Sequence, residues 1–172
     1  MRPRYALFAL AAAIIVAIGA LSVIAGGAGE PDPCPTPVPG TKEATLLERA
    51  RREARFVLLY PCSLPAGQRL SAAAVVGEPG AQSVTFEFTG PFAMSFRQSQ
   101  LSPVIGPEPI GTSRIPVQLF PGVAGELIER NDGTGDFLYV VTWNRDGVFY
   151  ELRATGPSQS RRQILLVVQS LI

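Results

Sequence analysis

Apolar residues recur at every second position through two long stretches of the chain, and that period predicts β-strands. In SVTFEFTGPFAMSFRQ, Val84, Phe86 and Phe88 alternate with Thr85, Glu87 and Thr89. After a turn at Thr89-Gly90-Pro91, Phe92, Met94 and Phe96 alternate with Ala93, Ser95 and Arg97. The two halves form a hairpin with six large apolar side chains on one face. DFLYVVTWNRDGVFYELRATG repeats the pattern: Phe137, Tyr139, Val141 and Trp143 share a face that Val148, Tyr150 and Leu152 continue. Its turn is Asn144-Arg145-Asp146-Gly147, where Gly147 is free to take a left-handed conformation. The opposite face, with Leu138, Val140, Thr142, Phe149, Glu151 and Arg153, is only half apolar. RLSAAAVV (69–76), IPVQLF (115–120) and GELIER (125–130) supply shorter strands. Between them, residues 99–114 carry Pro103, Pro107 and Pro109 and read as a long loop.

Two segments follow the helical period instead. In TKEATLLERARREARF, Thr41 is a suitable N-cap and Glu43 suits the positive end of the helix dipole. Leu46, Leu47, Ala50, Ala54 and Val57 form its apolar stripe. The arginines at 49, 51, 52 and 55 are balanced by Glu43, Glu48 and Glu53 and read as a solvated face. In SQSRRQILLVVQSLI, Ile164, Leu165, Val167, Val168, Leu171 and Ile172 make one face, with Ser158 or Ser160 as cap.

The N-terminus is different in kind. After Arg2 and Arg4 no charge occurs from Tyr5 to Gly29. Tyr5–Ile24 is long enough to span a bilayer, which takes about 20 residues, and longer than the usual core of a cleaved signal. The small residues at 25–29 also resemble a cleavage region. Both alternatives leave the arginines in the cytoplasm and export the chain beyond Gly29. The expected location is therefore the cell membrane, single-pass, with the C-terminal domain extracytoplasmic, or secreted if the signal is cleaved. Pro33 before Cys34 does not fit a lipidation site. The expected fold class is α+β: an N-terminal transmembrane helix, a helix, an antiparallel sheet of six or seven strands and a C-terminal helix packed on the sheet. Residues 1–28 form the anchor, 29–40 a Pro-rich stalk and 41–172 the extracytoplasmic domain.

Composition narrows the chemistry. Removing Arg2 and Arg4 turns the chain's 15 basic and 14 acidic residues into 13 and 14, a net −1 with no footprint for nucleic acid. The chain has no histidine, which removes Ser-His-Asp triads, Cys-His dyads and His-rich zinc sites. Its two cysteines, Cys34 and Cys62, allow one intramolecular disulfide in an oxidising compartment and lack the spacing of a redox pair. That bridge would close a loop of about 28 residues, worth roughly 3–4 kcal/mol. The acids Glu126, Glu129, Asp132 and Asp136 lack the spacing of a calcium loop. No catalytic residue, metal ligand or cofactor is nominated. The aromatic face of Phe86, Phe88, Phe92, Met94, Phe96 and Trp143 is either core or an apolar ligand face.

FVLLYPCSLPAGQRL, VTFEF, LYVVTWNRDGVFYELRATG and QILLVVQSL together resemble a family of bacterial membrane-anchored extracytoplasmic domains of unknown function. Such domains occur on some anti-sigma-factor ectodomains and sporulation-related lipoproteins. The matching positions are Pro61, Leu64, Pro65, Gly67, Trp143, Tyr150, Ser170 and Leu171. The resemblance implies an antiparallel sheet wrapped against helices, distantly like the half-barrels of lipoprotein carriers, and brings no catalytic residues. Only MRPR precedes the apolar segment, where anti-sigma factors place a sigma-binding domain. The expected function is a non-enzymatic, membrane-tethered interaction or sensor module of the cell envelope, with an envelope protein as partner. The alternative is a lipid or hydrophobic-ligand carrier.

Overall fold

The structure, a computed structural model, describes residues 37–102, 112–131, 133–158 and 160–171. The predicted transmembrane helix, most of the stalk and Cys34 lie outside the described residues.

The described elements are α1 (Lys42–Glu53), β1 (Arg69–Val76), β2 (Ser83–Thr89), β3 (Ala93–Ser99), β4 (Thr112–Phe120), β5 (Val123–Asn131), β6 (Asp136–Arg145), β7 (Val148–Pro157) and α2 (Ser160–Gln169). Seven strands make one sheet in the order β1-β2-β3-β7-β6-β5-β4, and every neighbouring pair is antiparallel. Two meanders thus meet where β3 pairs with β7. The chain is α+β, with a C-terminal helix.

The period-2 pattern sets the register. One row of inward side chains crosses all seven strands: Ala73, Phe86, Phe96, Leu152, Val141, Leu127 and Ile115. A second runs Val75, Val84, Gln98, Tyr150 and Trp143. A one-residue slip in any pair would turn these side chains to the outer face, so their burial fixes the register. Burying each phenylalanine contributes on the order of 2–3 kcal/mol. The turn between β6 and β7 is shorter than the four residues the sequence suggests. Asp146 and Gly147 alone form it, both with positive φ (53° and 76°), which matches the twist of the strands it joins.

α1 packs against β1, and α2 lies across β4, β6 and β7. Thr41 caps α1, its Oγ1 accepting from the Ala44 N–H at 3.3 Å. The expected extension of the α1 stripe to Val57 does not hold. The helix ends at Glu53, Ala54 is extended, and Val57 is 82% exposed. The cause is a side chain 27 residues beyond Arg55. Gln82 accepts from the Arg55 N–H at 2.7 Å and donates to the Glu53 carbonyl at 3.3 Å, so it pairs the chain where it leaves the helix. β4 also begins three residues earlier than expected, at Thr112, and carries Pro116 within it. Proline is tolerated there because β4 is an edge strand.

Candidate functional site

Phe86 and Phe88 stand on β2, Phe92 just before β3, Met94 and Phe96 on β3, and Trp143 on β6. Strand parity and the β3–β7–β6 pairing bring them to one face. All six are buried, and Phe86 and Phe96 are 0% exposed. Two ring sets fill this face. Trp143 stacks on Tyr150 at 5.1 Å and 7°, and Phe96 lies nearly parallel to both at 5.9 and 6.2 Å. Tyr60 meets Phe86 edge-on at 5.8 Å and tilts against Phe88 at 6.2 Å. Leu58, Leu59 and Tyr60 belong to no strand, yet all three are buried and join the same core.

A segment outside the strand ladder that enters the core brings backbone polar groups with it, and each needs a partner. Gln98 supplies both for Leu59. It accepts from the Leu59 N–H at 2.8 Å and donates to the Leu59 carbonyl at 2.9 Å, and it is 0% exposed. Gln68, also buried, donates to the Phe92 carbonyl at 3.0 Å. Gln68 Oε1 and Trp143 Nε1 are buried without a hydrogen-bond partner. Sequence reasoning overlooked these glutamines. The available signal was parity, since Gln98 continues the inward series of Met94 and Phe96.

Burial pushes the Tyr60 phenol up to about 12, repulsion from Glu43 adds to this, and Arg51 opposes it. Tyr139 and Tyr150 are also raised, in each case chiefly by burial. Strand alternation separates the candidate acids of β5. Glu126 pairs with Arg114 on the outer face, and Glu129 faces α2 and pairs with Arg161 at 3.2 Å. Among the described residues no three His, Cys, Asp or Glu side chains gather as a metal site.

Five of the eight residues that carry the resemblance fall into two contacts. Trp143 and Tyr150 form the ring stack. Pro61 bridges to Leu171, and Ser170 accepts at its carbonyl from the Cys62 N–H and at its Oγ from the Ser63 N–H, both at 3.0 Å. Leu64 and Pro65 line a small groove beside α2. Cys62 is half-buried and disulfide-bonded, and no described cysteine is free. Cys34, the chain's other cysteine, lies outside the described residues.

The two edges of the sheet are unlike. β4 carries Arg114, Pro116 and a register irregularity between Gln118 and Phe120, all features that hinder further pairing. β1 has neither charge nor proline from Leu70 to Gly77. Its irregularity lies at its start, between Leu70 and Ala72, where Glu43 accepts from the Leu70 N–H at 2.6 Å. Beyond it Ala72, Ala74 and Val76 are exposed. Neither family models, nor curated proteins, nor solved structures give a match to this chain.

Proposed function

We propose that this chain is a non-enzymatic, membrane-tethered interaction module of the bacterial cell envelope, and that its partner is another envelope protein. The observation that carries this reading is the contrast between the two sheet edges. An edge strand is a row of unpaired N–H and C=O groups, and proteins usually blunt it with charge, proline or a bulge. Here β4 carries charge, proline and a register irregularity, whereas β1 has an irregularity at its first residues, packs against α1, and is neutral from Leu70 to Gly77. An extended partner segment adding to Ala72–Val76 would gain main-chain hydrogen bonds, with small side chains in β1 that do not obstruct it. The alternative, a carrier of lipid or another apolar ligand, has no specific observation in its favour. The aromatic side chains that would line its cavity pack on one another and on Tyr60.

A photo-crosslinking residue at Val76, in the full chain in its own membrane, tests this. The expected result is one discrete protein adduct that is absent when the probe sits at Ser95, at the middle of the sheet. The adduct should disappear on Ala74→Lys, which charges the edge from an exposed position. No adduct at Val76, or one that persists with Ala74→Lys, contradicts the reading.

A further inference from the structure

α1 follows β1 and is tied to it at both ends. In the sheet β1 pairs with β2 alone, yet the Leu70 N–H donates to Glu43 of α1 at 2.6 Å. The first turn of the helix thus supplies an acceptor to a strand that lacks a second neighbour. At the other end stands Gln82, the residue before the Ser83 that pairs with Val76. Gln82 donates to the Glu53 carbonyl at 3.3 Å and accepts from the Arg55 N–H at 2.7 Å. Between these ties the helix packs on the strand. The attachment is light. Leu47 is the one large side chain of α1 that is buried, and Ala44 and Ala50 complete its buried face. α2 by contrast buries Ile164, Val167 and Val168 and lies across three strands. Hydrophobic hold scales with the apolar area buried, so α1 is the more weakly held helix.

Both flanks of α1 suit a hinge, which needs element-terminal residues that absorb changes in φ and ψ. Gly40 precedes it with φ of 83°, and nothing lies within 4 Å of where a Cβ would stand. Beyond it Ala54 is extended, Val57 is exposed, and Leu59 is anchored separately by Gln98. Leu58–Tyr60 can therefore keep its place in the core while α1 moves. We propose that α1 is an autoinhibitory strap on β1: it lifts as a unit about Gly40 and Ala54–Val57, and in lifting it frees the Leu70 N–H and the edge of β1 for the partner's extended segment. The strap and the partner compete for one strand, so the partner's apparent affinity falls with the fraction of chains whose strap is open. This rests on the docking edge proposed above and adds its regulation.

The test has two arms. Native-state hydrogen exchange on the full chain in lipid vesicles reads the lifting. The amides of 42–53 should exchange roughly a hundredfold or more faster than those of β3 and β7. Leu47→Ala should speed them a further tenfold or so and leave β3 unchanged. Crosslinking from Val76, in the full chain in its own membrane, reads the edge. Leu47→Ala should raise the yield of the protein adduct roughly threefold or more. If α1 exchanges only as fast as β3, it does not move by itself and the strap is refuted. If Leu47→Ala loosens α1 but the adduct yield stays the same, α1 does not guard the edge, and the docking reading stands without it. If no adduct forms in either chain, the docking reading fails and the strap fails with it. Should Leu47→Ala speed β3 as well, Glu43→Ala, which removes the acceptor of the Leu70 N–H, takes its place under the same outcomes.

Discussion

Gln98 carries a burden out of proportion to a single amide. It is fully buried in an apolar row, and it holds both backbone polar groups of Leu59. Gln98→Ala would leave a buried N–H and a buried C=O unpaired, at about 1–3 kcal/mol each, and open a void where the amide stood. The sum is about 3–5 kcal/mol, a large part of a small domain's whole stability. Gln98→Glu sharpens the test, because a protonated carboxyl can still donate to the Leu59 carbonyl and accept from its N–H. An ionised one can only accept, and it is desolvated as well. Its pKa should therefore rise above the usual glutamate value of about 4.3. A raised pKa means stability that is fully present below the unfolded value and is lost as pH climbs through the folded one. Urea unfolding of residues 29–172, monitored by circular dichroism at several pH values, reads both effects. A Gln98→Ala loss below about 1 kcal/mol, or a Gln98→Glu stability that does not fall from pH 4 to pH 8, would refute the clamp.

Other contacts give three more expected outcomes. Gly90→Ala should cost about 1–3 kcal/mol in the same urea assay, because its Cβ would fall 2.4 Å from Gln68 Oε1 and 2.7 Å from Gln68 Cα. Tyr60 should resist ionisation until about pH 12, seen by ultraviolet titration of the native protein. Because burial disfavours the phenolate, the fold should lose stability as pH rises from 10 through 12. Non-reducing peptide mapping should recover Cys34 joined to Cys62. Cys34→Ser should lower the melting temperature without changing the fold, by an amount matching roughly 3–4 kcal/mol.

Much of the sheet is legible in the sequence because its information is local. The alternation in residues 83–98 and 137–152 places the large inward side chains of β2, β3, β6 and β7, and Asp146-Gly147 marks its own turn. The features that escape are non-local. The end of α1 is set by Gln82, and no periodicity near Ala54 announces it. Pro116 argues against a strand that runs on both sides of it, and only the edge place of β4 in the strand order makes it tolerable. The same holds for the site. Parity gathers Phe86, Phe96 and Trp143, but whether they make core or cavity depends on what lies over them. Leu58–Tyr60 joins that core as a segment held by Gln98, and neither helical nor strand periodicity marks it. The edge position of β1 is equally hidden. LSAAAVVG is neutral and small in the sequence, yet only the β1-β2-β3-β7 order makes it an edge.

The choice between an interaction module and a ligand carrier turns on whether the sheet's aromatic face is spent on the core. Native mass spectrometry of residues 29–172, exported so that the disulfide forms and then extracted with solvent, measures this directly. The packed rings of Phe96, Trp143 and Tyr150 predict the mass of the bare polypeptide and an extract without lipid. A stoichiometric apolar ligand released on denaturation would contradict the closed core and return the carrier reading to first place.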